Sequence, residues 1–247
     1  MDERRDAPIL FVRETDSTNL ALRRLAEQGA AEGTVLWAAR QTAGRGRLGR
    51  SFSSPEGGLY LSMLLRQSAE PARDLALTPA AAVAAARAAE RCCGLACAVK
   101  WPNDLIAGGK KLCGILCESF FAQGKSWIVI GIGVNVNTAA FPPELAEIAV
   151  SARQLTGRET PPEELARALT EELDAAAAAA RRGDPALLDE YRRRCLNIGR
   201  GVRLLRDGGS RPAFALGVNE DYSLRVRLED GSVEDVRFGE VSLRDPV

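Results

Sequence analysis

The fold is decided by how one reads Gln41-Thr-Ala-Gly-Arg-Gly-Arg-Leu-Gly-Arg50 and its continuation, Ser51-Phe-Ser-Ser-Pro-Glu-Gly-Gly58. Gly44-x-Gly46-x-x-Gly49 has the spacing of the dinucleotide-binding fingerprint. That fingerprint requires a strand before it, a helix opening inside it and an acid about 20 residues further on. The β-rich run Thr34 to Ala39 supplies the strand, but the other requirements fail. Gly49-Arg-Ser-Phe-Ser-Ser-Pro-Glu-Gly-Gly58 cannot continue a helix, and Glu70 sits in a Ser-Ala-Glu-Pro turn rather than at a strand end. The stretch is instead a loop between two strands, Thr34–Ala39 and Leu59–Leu65, whose base a sheet can hold while its middle moves. Arg40, Arg45, Arg47 and Arg50 precede the next acid, Glu56, so the loop suits an anion; the plainer alternative is a solvated charged loop.

Outward from the loop, the 33 basic and 33 acidic residues cancel, so the surface as a whole is neither a nucleic-acid nor a membrane patch. A positive field must therefore be local. The polar start Met-Asp-Glu-Arg-Arg-Asp has no apolar segment behind it, and no apolar run approaches the roughly 20 residues of a membrane span. The expectation is a cytoplasmic protein. Cysteines 92, 93, 97, 113, 117 and 195 contain no Cys-x-x-Cys pair, and the chain has no histidine. Reduced, buried thiols are expected rather than a metal site, because structural zinc wants four well-spaced ligands. Without histidine there is no Ser-His or Cys-His nucleophile, so chemistry must run on Lys, Arg, carboxylates or a metal brought with the substrate.

Along the chain, Ile9–Val12 is a short strand, Thr15-Asp-Ser-Thr-Asn19 offers N-caps to a helix closed by Gly29, and Thr78-Pro79 caps an alanine-rich helix ended by Gly94. Ala98–Trp101 and Asp104–Ala107 are strands around a Pro102-Asn103 turn, and Gly108-Gly109 is a tight hairpin into Lys110–Glu118. Gln123-Gly-Lys125 turns the chain into Trp127–Asn137, a strand buried on both faces whose Gly131 and Gly133 leave room for a close approach. Thr160-Pro-Pro-Glu163 reads as a capping box for a helix to about Arg181, and Asp184-Pro185 caps another to about Cys195. From Gly201 come short alternating strands, Val202–Leu205, Arg211–Val218, Ser223–Leu228 and Ser232–Phe238, separated by Asp207-Gly-Gly-Ser, Asn219-Glu-Asp and Asp230-Gly231. This gives a boundary near Asn197–Arg200, with domains at 1–198 and 199–247.

Four polar clusters stand at strand ends or turns: Asp16–Asn19, Gln41–Arg50, Lys100-Trp-Pro-Asn-Asp104 with Lys110-Lys111, and Gly131-Ile-Gly-Val-Asn135. Singly they have structural explanations as helix caps, core, a solvated hairpin and a strand end. Together, Thr15-Asp-Ser-Thr-Asn19, Gln41–Arg50, Val99-Lys-Trp-Pro-Asn-Asp104, Lys111-Leu-Cys-Gly-Ile-Leu-Cys-Glu118 and Ile130-Gly-Ile-Gly-Val-Asn-Val136 resemble the catalytic domain of biotin protein ligases over about residues 9 to 137. The resemblance implies an α+β fold, with a helix-flanked mixed sheet like that of class II synthetases and a small C-terminal SH3-like β-barrel. It also implies the reaction: ATP and biotin give biotinyl-5′-AMP and pyrophosphate, and a lysine of a biotin carboxyl carrier protein takes the biotinyl group.

By the same resemblance, Ser17, Thr18, Asn19, Gln41, Gly44, Arg45, Gly46, Arg47, Lys111, Gly114 and Gly131 face biotin, while Arg45, Arg47, Arg50, Phe52, Lys111 and Asn135 face ATP or the adenylate. Lys111 would bridge carboxylate and α-phosphate, and Arg47 would join it in catalysis. Phe52 stands where some family members place a tryptophan against adenine. Mg2+ is expected to arrive with ATP, with no metal site in the chain. Asp104 is a candidate for orienting or deprotonating the acceptor amine, against a turn-forming role after Pro102-Asn103. The catalytic pattern begins by Ile9, so the short form without an N-terminal DNA-binding helix-turn-helix is expected, and a homodimer is left open.

Two alternatives stay open at this level. Lipoate-protein ligases share the adenylation logic. A nucleic-acid-binding module would use the arginine loop and the C-terminal barrel, against which stand zero net charge and the barrel acids Glu229, Asp230, Glu234, Asp235 and Glu240.

Overall fold

The computed structural model describes residues 7–206, 209–237 and 239–243. The polar start Met1–Asp6, Asp207 and Gly208 of one expected turn, and Phe238 at the end of one expected strand lie outside them.

In the main sheet, β1 (Ile9–Thr15) pairs in parallel with β2 (Val35–Gln41), and α1 (Thr18–Glu27) makes the crossover. β3 (Leu59–Arg66), β4 (Ala98–Lys100), β5 (Asp104–Ala107), β6 (Lys110–Ala122) and β7 (Lys125–Val134) complete a seven-stranded sheet in the order β1-β2-β3-β7-β6-β5-β4. Gly108 and Gly109 take φ of 56° and 78°, and Gln123 and Gly124 take 52° and 67°, so both tight hairpins have the left-handed pair that matches strand twist.

Strand alternation separates two faces. Leu59, Leu61, Met63, Ile128, Ile130 and Ile132 point toward α3 (Leu77–Cys93) and α6 (Pro162–Arg182). Leu36, Leu64 and Val129 point the other way, onto Leu22 and Ala26 of α1. The helix α3 is buried nearly all round because its alanines let the sheet and α6 both approach closely. The short helices α2 (Pro71–Asp74), α4 (Pro143–Ala146) and α5 (Ala152–Thr156) are connectors, and α7 (Pro185–Arg194) leads to the C-terminal unit.

That unit is a five-stranded antiparallel sheet, β11-β10-β9-β8-β12, made of β8 (Gly201–Arg206), β9 (Gly209–Val218), β10 (Leu224–Leu228), β11 (Val233–Val236) and β12 (Glu240–Leu243). The sequence pattern predicts four of these strands and misses β12. Its buried residues, among them Val202, Ala215 and Val226, continue the core of the main domain. Trp101 ties the two units through its indole N–H, which donates to the Tyr222 carbonyl at 3.0 Å, while its backbone N–H donates to Asn197 Oδ1 in the connecting segment at 2.7 Å.

Two expected caps are not used. The α3 helix starts at Leu77 with Ala76 as N-cap, because α2 feeds straight into it; Thr78 and Pro79 fall in the first turn, where a missing N–H costs nothing. The N-cap of α6 is Pro161, while Thr160 spends its N–H on Asn137 Oδ1 and its hydroxyl on Cys93. A capping box does form at Ser151 and Gln154. Asp184 caps α7 as expected, accepting from the Ala186 N–H.

At the start of α1, Ser17 is the N-cap residue but makes no side-chain cap bond. Asp16 instead accepts from the Ser17 N–H at 2.7 Å and pairs with Arg24 through both carboxylate oxygens. The Arg24 guanidinium holds this carboxyl well below the usual range. Its stabilising effect is therefore present above the unfolded value of 3.8 and is lost as pH falls through the depressed folded value. Asp16→Asn is expected to lower the melting temperature at pH 7, with the gap to the parent closing as pH drops below about 4. A gap that persists undiminished at the acid end contradicts the charge pairing.

Candidate active site

The face of the sheet that carries α1 is bare at its centre. On that face β7 offers Val129, Gly131 and Gly133, and β6 offers Gly114, Leu116 and Glu118. Gly114 faces Gly133 in register and Leu116 faces Gly131, so three positions of this patch raise no side chain of their own and other residues can settle onto the backbone. A cleft of about 290 Å³ opens above this floor. The loop after β2, the Lys100–Asp104 turn and the C-terminal residues Leu205, Val241 and Ser242 form its walls.

The loop is fastened at both ends. The Gln41 N–H donates to the Ser54 carbonyl, and the Phe52 N–H donates to the Gly44 carbonyl. The Tyr60 hydroxyl donates to the Pro55 carbonyl at 2.8 Å, and burial pushes that phenol far above its ordinary value. A Cβ on Gly44 would lie 2.3 Å from Ser54 Oγ, so only glycine lets these strands of the loop touch. Leu48, at the apex, is exposed with φ 55°. Phe52 folds inward over the floor, where Cβ atoms on Gly133 and Gly114 would meet its ring at 2.5 and 2.9 Å.

The cations in the cleft rest on acceptors. Lys111 Nζ lies 2.8 Å from Asp104 Oδ1 and 5.7 Å from the centre of the Phe52 ring. Arg45 pairs with Glu118 at 3.2 Å. Arg47 donates to Asn103 Oδ1 at 3.2 Å and to the Gly239 carbonyl of the C-terminal unit at 3.0 Å, so one side chain joins the loop, the turn and the small sheet. Asn103 is itself fixed by donating to the Ile115 carbonyl at 2.7 Å.

The other end of the cleft is polar and buried. Gln41 Oε1 accepts from the Thr18 N–H at 2.8 Å, Ser62 Oγ stands 2.7 Å from both Thr18 Oγ1 and Asn19 Oδ1, and Asn19 Nδ2 donates to Glu118 at 2.9 Å. Such a network, uncharged except at Glu118, recognises a ligand by its pattern of donors and acceptors.

Of the residues expected to form a site, Ser17, Thr18, Asn19, Gln41, Arg45, Gly46, Arg47, Arg50, Phe52, Asp104, Lys111, Gly114 and Gly131 all line this one cleft. Gly44 packs against Ser54 and Phe52 at the loop base, and Asn135, just past the end of β7, donates to the Lys111 carbonyl at 3.3 Å; neither is among the cleft-lining residues. The sequence reading misses Ser62, Tyr60, Glu118 and the C-terminal wall. Tyr60 and Ser62 share one face of an otherwise apolar strand, a signal that alternation carries; the C-terminal wall has no local signal.

All six cysteines are free thiols. Burial raises Cys117 to about 11 and Cys97 to about 12, so both stay protonated at neutral pH. Among the described residues no group of three or more His, Cys, Asp or Glu side chains could hold a metal. No helix there is long and apolar enough to cross a membrane.

A glycine-floored cleft with cations at one end, a neutral polar pocket at the other and a basic loop above suits a ligand that is anionic at one end and polar but neutral at the other. The chain belongs to the biotin/lipoate A/B protein ligase family, whose model matches residues 11–135. It is 36% identical over 223 residues to the biotin–[acetyl-CoA-carboxylase] ligase of Mycobacterium tuberculosis, covering 88% of this chain and 80% of that one. It is 41% identical over 145 residues to the bifunctional ligase/repressor BirA of Bacillus spizizenii; that match takes in 57% of this chain but only 45% of the relative, less than half its length. The biotin protein ligase of Aquifex aeolicus in complex with biotin and ATP superposes with a TM-score of 0.82 at 29% identity, covering 96% of this chain and 99% of that one.

The floor has a direct stability test. A Cβ on Gly131 would lie 2.2 Å from Asn19 Oδ1, so Gly131→Ala must displace Asn19 from its buried hydrogen bonds; beside Gly46 nothing is closer than 3.4 Å. Urea denaturation should show Gly131→Ala costing about 1–3 kcal/mol and Gly46→Ala roughly 0.5 kcal/mol or less. Equal costs would contradict the geometry.

Proposed function

We propose that this chain activates biotin with ATP and transfers the biotinyl group to a lysine of a biotin carboxyl carrier protein. The observation that carries the proposal is the juxtaposition in one cleft of Lys111, Arg45 and Arg47 with the neutral hydrogen-bonding pocket of Thr18, Asn19 and Gln41. In the first step a biotin carboxylate oxygen attacks the α-phosphorus of ATP. The bond to the β-phosphate oxygen breaks and pyrophosphate leaves. Two anions must approach, so cations fixed where charge builds up lower the barrier. Lys111 serves carboxylate and phosphate together, because an ammonium is a compact charge with three donors. Asp104, 2.8 Å away, holds it in place until the anions take its place. Arg45 exchanges Glu118 for the nucleotide in the same way. Mg2+ enters as part of the nucleotide substrate.

In the second step the acceptor amine attacks the acyl carbon, the C–O bond to AMP breaks, and the nitrogen loses a proton. At an unperturbed pKa near 10.4, roughly one lysine in 2,500 is neutral at pH 7, so a carboxylate beside the acyl group helps. Asp104, released once Lys111 turns to the phosphate, is that group. Phe52 and the loop cover the adenylate and keep water from hydrolysing it. We assign residues 1–198 to catalysis and 199–247 to a barrel that supplies one wall of the cleft, and place the protein in the cytoplasm.

Incubation with biotin, ATP and Mg2+ is expected to yield biotinyl-AMP by mass spectrometry; lipoyl-AMP formed in preference from lipoate would overturn the choice of acid. Lys111→Ala should reduce adenylate formation by about 100-fold or more while remaining folded. Asp104→Ala, followed in the two steps separately with preformed biotinyl-AMP for the second, should impair transfer more than adenylation. An equal fall in both would remove the acceptor role.

A further inference from the structure

Glu118 closes the Lys111–Glu118 motif; it holds Arg45 until the nucleotide arrives but touches no reacting atom. It points from β6 onto the cleft face, and its side chain is 18% exposed. Oε2 accepts from Asn19 Nδ2 at 2.9 Å, and the same nitrogen donates to the Leu116 carbonyl at 3.3 Å. An ionised carboxylate and a backbone carbonyl can only accept. Both acceptors therefore select one orientation of the Asn19 amide, with nitrogen toward β6 and oxygen toward Ser62 and Gly131.

That choice propagates. Ser62 Oγ has one proton and stands 2.7 Å from Asn19 Oδ1 and 2.7 Å from Thr18 Oγ1. Asn19 Oδ1 has no proton to offer and can only accept from Ser62, while the Thr18 hydroxyl proton serves either Ser62 Oγ or Gln41 Oε1, which lies 3.1 Å away. Gln41 Oε1 accepts from the Thr18 N–H at 2.8 Å and has a second lone pair for the Thr18 hydroxyl. In either arrangement Asn19 Oδ1 and Thr18 Oγ1 each keep a lone pair free to accept from a ligand. A cyclic urea, with two N–H groups, is the complementary partner.

We infer that Glu118 is a positioning residue that fixes the hydrogen-bond polarity of the Ser17–Asn19 end of the cleft and so sets the affinity for the ureido ring of biotin. This rests on the biotin-activating reading. Its pairing with Arg45 at 3.2 Å places the same carboxylate at the junction of the ring pocket and the basic loop.

The test is biotin binding by calorimetry without ATP, alongside steady-state adenylate formation, with folding checked by circular dichroism. Glu118→Ala should weaken biotin binding about ten-fold and raise the KM for biotin in parallel, with kcat at saturating biotin within about three-fold of the parent. Glu118→Gln, whose amide oxygen can still accept from Asn19, should recover biotin affinity to within about three-fold. Asn19→Asp should weaken binding, and adding Glu118→Gln to it should restore part of the loss, because the new amide can donate to the new carboxylate. Unchanged biotin affinity in Glu118→Ala, or Glu118→Gln as damaging as Glu118→Ala, overturns the inference. If Glu118→Ala does not fold, the Asn19→Asp pair decides: no restoration overturns it. A parent protein that binds no biotin refutes the biotin-activating reading itself, a different result from normal binding in the variants.

Discussion

The cleft exists because two antiparallel strands set glycines opposite one another on the same face of the sheet. Gly114 meets Gly133 and Leu116 meets Gly131, while the residues between them, such as Ile130 and Ile132, fill the core on the far side. A strand that must be apolar on one face and absent on the other is costly in a sheet, since glycine adds no packing and loses more conformational freedom on folding. The two-helix layer of α3 and α6 behind the floor compensates, and its alanines allow it to sit close. The neutral pocket, the cations and the loop are arranged around the vacancy those glycines leave.

Charge is handled by pairing rather than by excess. The chain is neutral overall, and within the cleft Lys111 rests on Asp104 and Arg45 on Glu118. A cation already held by a carboxylate does not have to be ordered when the anion arrives, and the site does not repel itself while empty. Arg47 differs, being held by the neutral Asn103 amide and the Gly239 carbonyl as well as by its further surroundings. Through it the loop is hydrogen-bonded to the C-terminal unit, which gives that unit a physical connection to the cleft some 190 residues away in sequence.

Much of this was legible in the sequence, for identifiable reasons. The failed dinucleotide fingerprint, the two left-handed hairpins and the glycines of Trp127–Asn137 are local features, and local features fix the strands around the cleft. The caps at Thr78 and Thr160 misled because neighbouring segments decided otherwise: α2 runs into α3, and Asn137 claims Thr160. Ser62 and Glu118 were invisible as site residues because their roles arise only when β3, β6 and α1 come together. Asn135 follows the last residue of β7 and donates to the Lys111 carbonyl instead of lining the cleft.

The central claim is that the arginine loop is a lid over a charged intermediate rather than a solvated surface loop. Limited proteolysis across residues 45–50, with and without biotin and Mg·ATP, tests it most directly. Cleavage concentrated in this loop in the free protein and suppressed when both ligands are present is the predicted result. Cleavage at the same rate in both conditions, from a protein that still turns over, would leave the arginines as local charge and remove the lid.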